Sequence, residues 1–277
     1  PLDVTDFDSV HTQATYSYEA TGRLATITDG TDTFTYAYEA DSNLLASLTA
    51  PQHTVAYTYE PNRNVMTAIA NHTGGTTLLS SYTYSYDALG RRDDRSQSGS
   101  AIASTSTDDF TYNARSEVTS STNSVETAAQ WNPTYSFDQI GNRKSSTGFQ
   151  PVAAYSTNAV NQYTALDTAV PAHDIDGNLT SDGGAWLYQW NNENRLKSAT
   201  NGTVAIDFLY DYQGRLVKKT TSAYDSGLWS QTSALSYVYD GWNRIASFKV
   251  GSSTFDVQRS YLWGLDLSGS MQGAGGV

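Results

Sequence analysis

Eleven copies of one short pattern run through this chain: aromatic, any residue, aromatic, acid or Asn, two variable residues, then Gly or Asn. Tyr16-Ser17-Tyr18-Glu19-Ala20-Thr21-Gly22-Arg23-Leu24 is an early copy, and Phe208-Leu209-Tyr210-Asp211-Tyr212-Gln213-Gly214-Arg215-Leu216 a late one. The first positions are Tyr16, Tyr36, Tyr57, Tyr84, Phe110, Tyr135, Tyr155, Pro171, Tyr188, Phe208 and Tyr237. A short unit that recurs about every 22 residues cannot bury its own apolar face, so it must stack on its neighbours.

Each copy reads as a β-hairpin. Aromatics two residues apart lie on one face of a strand. An Asp or Asn side chain accepts a hydrogen bond from a backbone NH two residues on and so opens a turn. The turn-opening position is Glu19, Glu39, Glu60, Asp87, Asn113, Asp138, Asn158, Asp174, Asn191, Asp211 and Asp240. Three residues later stand Gly22, Ser42, Arg63, Gly90, Ser116, Gly141, Asn161, Gly177, Asn194, Gly214 and Asn243, mostly residues that tolerate a left-handed backbone. An apolar residue such as Leu24, Leu44, Val65, Leu196 or Ile245 then starts the return strand. No sustained stretch has the three-and-four spacing of a helix. The Ser- and Thr-rich stretches 96–108 and 116–129 read as loops or hairpin tips, and 71–77 as a longer outer turn.

These residues resemble the YD repeat of the Rhs and wall-associated proteins, also found in teneurins and in the B and C components of insecticidal toxin complexes. The likeness covers about residues 14–277, and the closing segment Tyr261–Val277 is similar to the boundary where such repeats run into the Rhs-associated core domain. The resemblance implies an all-β fold of repeated β-hairpins forming one continuous coiled antiparallel sheet, a shell or barrel segment. It divides the chain into a lead-in strand or tail (1–13), the repeat array (14–260) and the boundary segment (261–277). It also implies a bacterial product that is secreted or held at the cell surface. The expected partners are flanking Rhs sequence or an encapsulated polypeptide. The family's self-cleavage motif would lie beyond Val277, so no residue here inherits a proteolytic role.

Composition limits the remaining functions. The net charge of −12 gives no basic footprint for nucleic acid. The chain has no cysteine, no apolar run of spanning length and no leader pattern at Pro1-Leu2-Asp3. No cofactor or metal is expected: Asp174, Asp176 and Asn178 alternate like calcium ligands, but the twelfth position is Ala185 rather than Glu.

The leading expectation is a structural shell segment that encloses, carries or presents a polypeptide. Its open sheet edges invite self-association. The alternatives are a carbohydrate-binding surface built on Trp131, Trp186, Trp229 and Trp242, or a polysaccharide lyase using His53, His72 or His173 for proton transfer. The departures from the pattern, namely Ser42, Arg63 and Ser116 at the glycine position and Thr157 and His173 at the second aromatic, mark where function should be sought.

Overall fold

The computed structural model describes residues 2–4, 12–251 and 256–265; most of the boundary segment 266–277 and part of the lead-in, 5–11, lie outside the described residues. Among the described residues the chain forms two compact units, the first ending at Ala153 and the second starting at Ala154.

In the first unit, 11 strands from Leu2–Val4 to Val118–Asn123 form one antiparallel sheet in chain order. The short hairpin Tyr135–Phe137 and Arg143–Ser146 follows. The second unit begins with the hairpin Tyr155–Thr157 and Tyr163–Leu166. It continues as a 9-stranded sheet, again in chain order, from Ala172–His173 to Asp256–Ser260. Every neighbour in each sheet is a neighbour in sequence, as expected of hairpin repeats. The two short hairpins are two-stranded sheets of their own, one in each unit. In the first unit the Ser120–Thr134 bridge, the Ser121 to Pro133 hydrogen bond and the Arg115 bonds to the Asp138 and Gln139 carbonyls tie hairpin 135–146 to the strand and turn before it.

One irregularity recurs in every copy. The register slips by one residue just before the second aromatic, between Ser17 and Tyr18, Thr58 and Tyr59, Leu209 and Tyr210, and at the matching place elsewhere. Tyr18 pairs with Leu24 while Ser17 pairs with Thr26, which leaves Ala25 as the extra residue of a bulge. The bulge puts residues three apart, Leu24 and Ile27, on the same face as Tyr16 and Tyr18. Leu24 and Ile27 are both 2% exposed. The cross-strand partner of the first aromatic is Ile27, Leu48, Ile69, Ser146, Ala199 or Ser247 in six copies, but Arg95 opposite Tyr84 and Lys219 opposite Phe208. Of these, Ile27, Ser146, Ala199 and Ser247 are buried. A small or aliphatic side chain there lets the tyrosine ring lie down on the sheet.

The other face is hydroxyl-rich. Ser17 Oγ and Thr26 Oγ1 are 2.6 Å apart, Thr58 and Thr67 3.1 Å, Ser96 and Thr107 2.8 Å, and Ser136 and Ser145 2.6 Å. Cross-strand Thr and Ser pairs of this kind support a sheet face that stays in water.

This face also corrects the loop readings. Residues 96–98, 106–108 and 118–123 of those stretches belong to the strands Arg92–Ser98, Ser106–Tyr112 and Val118–Asn123, where Ser and Thr supply hydroxyl-ladder positions, while 99–105 and 124–128 are the connections expected there. The supposed long turn at 71–77 is a tight one between strands Met66–Thr73 and Thr77–Tyr86, so the extra residues lengthen the strands.

Candidate functional site

The site that the repeats build is the turn with its two straps to the neighbouring hairpin. In the commonest form the opener's NH donates to the carbonyl four residues on, as in Asp87 to Arg91 (2.9 Å) and Asp211 to Arg215 (3.0 Å). The opener's Oδ1 accepts two backbone NH groups, from Leu89 and Arg91 at Asp87 and from Gln213 and Arg215 at Asp211. The rest of the opener's side chain meets the residue four on. Asp87 and Asp211 accept Nε of Arg91 and Arg215, while Asp138 and Asp174 accept the amides of Asn142 and Asn178.

Where the opener is Asn the polarity inverts. Asn113 donates to the Glu117 carboxylate and Asn158 to the Gln162 carbonyl. Asn191 departs from this complement, because Arg195 pairs instead with Glu193.

These contacts fix the charge state of the openers. For Asp87 and Asp211, partial burial pushes the carboxyl up, but hydrogen bonds from the arginine and the turn's backbone NH groups hold it below the usual range. The same balance holds Asp138 down, and the Asn178 amide leads the lowering of Asp174. Glu117 is lowered first by Arg115 and then by Asn113.

The first strap is arginine. Arg63 donates to the Asp87 carbonyl of the next turn (3.0 Å), Arg91 to that of Asn113 and Arg115 to that of Gln139 (3.0 Å). Arg23 and Arg215 reach Ser42 and Gly241 in the same way. The guanidinium also stacks on the next copy's second aromatic: Arg23 on Tyr38 and Arg91 on Tyr112 at 4.5 Å, Arg215 on Tyr239 at 5.3 Å.

The second strap is that aromatic itself. Its donor reaches back to a carbonyl at the start of the previous return strand. Tyr38 bonds Leu24 (2.7 Å), Tyr59 Leu45 (2.9 Å), Tyr86 Met66, Tyr112 Arg92, Tyr210 Leu196 (3.0 Å) and Tyr239 Leu216 (2.9 Å). Trp190 does the same to Leu179 through Nε1 (2.7 Å). Trp263 bonds Arg244 (2.6 Å), so Tyr261 and Trp263 stand as a twelfth aromatic pair within the segment read as a boundary.

Two of the apparent exceptions resolve as shifted turns. The left-handed residue is Asp41 (φ 53°) rather than Ser42, and Asn64 (φ 54°) rather than Arg63. In both copies the opener bonds five residues on, to Leu44 and Val65. Arg63, freed from the glycine role, chelates Glu60 with Nε and Nη2, each at 2.7 Å. In the last turn Gly241 (φ 56°) takes the place expected of Asn243. That turn is shorter, with Asp240 paired to Asn243, so Arg244 is moved off its acid and stacks on Tyr237 at 4.1 Å. Ser116 does take the left-handed conformation (φ 64°).

His53 and His72 do not share a face. His53 pairs across strands with Thr73, and its Nε2 meets Asn71 Oδ1 at 3.1 Å. His72 pairs with Thr54 and therefore points to the opposite face of the same sheet. His173 pairs with Leu179 in the second unit. Among the described residues no three His, Asp or Glu side chains are grouped to hold a metal ion.

The tryptophans of the second unit are also spread along its sheet. Trp131 closes a one-turn 3-10 helix in the first unit and is 50% exposed. Trp229 packs tilted against Tyr224 with ring centroids 5.2 Å apart, at the start of the strand Leu228–Asp240, while Trp242 lies in the turn beyond its other end. At roughly 3.3 Å per residue those two are about 40 Å apart. Trp186 flanks the strand Leu187–Trp190, four strands from Leu228–Asp240 in the sheet order.

Comparison with known proteins follows this geometry. No family model matches the chain. It is 28% identical over 137 residues to the tRNA nuclease WapA of Bacillus subtilis strain 168, which is 47% of this chain but 5% of that protein. A WapA of Bacillus spizizenii, named a tRNA3(Ser)-specific nuclease, matches with the same identity and coverage. Among solved structures, TcdB2-TccC3 has a TM-score of 0.54 at 14% identity, over 95% of this chain and 18% of that chain. TcdB2-TccC3-Cdc42 gives 0.51 at 13% identity, over 95% and 17%. The chain thus spans a small fraction of the length of each relative.

Proposed function

We propose that this chain, a YD-repeat array of the Rhs type, is a stretch of wall in a longer exported protein, and that the wall encloses or carries a polypeptide made by the flanking sequence. The supporting observation is the direction of the straps. Tyr, Trp and Arg side chains join neighbouring hairpins within each unit, so the repeating residues are used to extend a sheet rather than to build a reactive centre. The ribbon has a half-buried aromatic face and a hydroxyl face, and its fully buried apolar side chains among the described residues are Leu24, Ile27, Ala199 and Ala234. A wall needs lateral continuity more than a thick core.

No described helix is long and apolar enough to cross a membrane. Export to the medium or the cell surface is part of the same proposal, carried by the likeness to WapA and the toxin-complex chains. The nuclease named in WapA is a property of that protein. A glycan surface would need its tryptophans within reach of one sugar chain, and Trp229 and Trp242 flank opposite ends of one strand.

Limited proteolysis of the purified parent protein tests the reading. A segment outside the repeats should resist protease while the repeats are intact and become digestible when they are cut or unfolded. Equal digestion of that segment with and without the repeats would refute it.

A further inference from the structure

We infer that the strand Asn243–Lys249 has two registers against Leu228–Asp240, one residue apart, and that the Tyr261 side chain holds it in the one seen here. In this register Asp240 pairs with Asn243, Tyr239 with Arg244, Val238 with Ala246 and Tyr237 with Ser247. In the first copy Tyr18 pairs with Leu24 and Tyr16 with Ile27, five and eight residues beyond the opener Glu19. The same count from the opener Asp240 arrives at Ile245 and Phe248. The strand instead presents Arg244 and Ser247 to the two tyrosines, one residue early.

The hydrophobic pattern favours the other register. As the strand stands, Arg244, Ser247 and Lys249 share the aromatic face with Tyr239, Tyr237 and Leu235, while Phe248 lies opposite Ser236 on the hydroxyl face. A slip of one residue exchanges the faces. It would set Ile245, Phe248 and Val250 opposite Tyr239, Tyr237 and Leu235, and Ser247 and Lys249 opposite Val238 and Ser236. Ala246 would become the bulge residue, as Ala25 is in the first copy. Asn243 would take the left-handed place that Asn161 (φ 63°) and Asn194 (φ 57°) hold, and Arg244 the place from which Arg215 meets Asp211. The register seen here forgoes both. Asn243 Oδ1 and Arg244 Nε are the buried side-chain atoms without a hydrogen-bond partner among the described residues, which is costly. Arg92 and Arg143 also stack on first-position rings, at 4.2 Å and 4.8 Å, but Arg91 and Asn142 before them keep their openers. Arg244 reaches its ring by leaving Asp240.

What offsets those losses comes from the segment that follows. The Arg244 guanidinium lies 4.1 Å from the Tyr237 ring, 5.8 Å from that of Tyr239 and 6.0 Å from that of Tyr261. Hydrogen bonds from Ser247 and Arg244 hold the Tyr261 phenol below its usual range. Both donors are residues that only this register brings to the aromatic face. The Tyr261 NH also bonds the Ile245 carbonyl at 2.9 Å. Tyr261 stands just beyond the strand Asp256–Ser260, so the strand Asn243–Lys249 reads whether that next element has docked. With Tyr261 in place Arg244 stays among the rings; without it, the apolar pattern and Asp240 draw the strand back by one residue.

Because the chain has no cysteine, engineered pairs report the register directly. Direct cross-strand partners fall within the roughly 4.4–6.8 Å Cα span of a disulfide, whereas residues on opposite faces do not bridge. Leu235→Cys with Lys249→Cys therefore closes in the register seen here, and Ser236→Cys with Lys249→Cys in the other. In the full chain the first pair should oxidise and the second stay reduced. Adding Tyr261→Phe should raise the second cross-link relative to the first by about tenfold, the reach of one charge-assisted hydrogen bond. Adding Arg244→Leu to that variant supplies an apolar residue to the aromatic face and removes the pull of Asp240, so the first cross-link should return. An unchanged ratio in Tyr261→Phe would overturn the role of Tyr261. Closure of both pairs alike, with or without Arg244→Leu, would mean a loosened strand and would overturn the two registers.

Discussion

Asp108 offers the sharpest single test of how the polar part of the first sheet is held. Arg95, Asp108 and Asn123 are direct cross-strand partners on three consecutive strands. Asp108 is 7% exposed. Its Oδ2 accepts Arg95 Nε at 3.0 Å and Nη2 at 2.5 Å, and its Oδ1 accepts Asn123 Nδ2 at 2.7 Å. Arg95 occupies the position that is Ile27 in the first copy, opposite Tyr84, so a guanidinium sits where an aliphatic residue would pack. Removing one partner of a fully buried pair costs about 3–5 kcal/mol. The Arg95 side chain is 39% exposed, so water takes over part of its loss. The discounted figure is about 2 kcal/mol, and the stranded Asn123 amide adds about 1 kcal/mol. Asp108→Ala should therefore lose about 3 kcal/mol in urea unfolding, with faster amide exchange in Arg92–Ser98 and Ser106–Tyr112. In a double-mutant cycle, Arg95→Ala should show a coupling of about 1–2 kcal/mol with Asp108→Ala. A cost below about 0.5 kcal/mol, or a coupling near zero, would mean the pair is surface decoration and the reasoning from burial is wrong.

Further expectations follow from the turns and the core. Gly99 has φ +130°, and a Cβ there would stand 2.3 Å from the Leu79 carbonyl oxygen and 2.7 Å from Ser80 Cα, so Gly99→Ala should lose more than about 2 kcal/mol in thermal unfolding. Gly22 has φ +83° but open space around it, so Gly22→Ala should lose about 1 kcal/mol, the backbone cost alone. Ile27→Ala empties the most enclosed core position and should cost about 2–4 kcal/mol, read by the same melt. The carboxyls of Asp87, Asp138, Asp174 and Asp211 are lowered in the fold, so their contribution is complete above the unfolded value of about 4 and is lost as pH falls below it. Melting temperature should hold level above about pH 5 and fall below about pH 4; a flat profile down to pH 2.5 would contradict the turn hydrogen bonds.

The hairpin, its turn and its aromatic face were legible because each rests on local chemistry: Tyr16 and Tyr18 share a face by strand periodicity, and Asp87 opens a turn by bonding its own backbone. The bulge was not legible, since nothing in Ala25 itself announces an extra residue, and without the bulge the joint burial of Leu24 and Ile27 cannot be foreseen. The straps were hidden for a related reason, because Tyr38 reaches a carbonyl 14 residues away and backbone acceptors leave no mark on sequence. The place of Arg63 was misread because the pattern was aligned at fixed length, whereas its turn closes at Val65 with Asn64 left-handed. Trp229 and Trp242 share only their residue type, and the strand Leu228–Asp240 keeps them apart.

Variation among the copies is largely compensated within the copy, which narrows what the remaining departures can mean. An Asp opener faces a donor four residues on, Arg91, Asn142, Asn178 or Arg215, whereas Asn113 and Asn158 face the acceptors Glu117 and Gln162. A longer turn moves its left-handed residue to Asp41 or Asn64, and Arg63 keeps its acid. Even the tyrosine strap is exchanged for an indole NH at Trp190 without losing its acceptor. Against that background Phe137 differs in kind, because its ring carries no donor to take the place of the tyrosine hydroxyl.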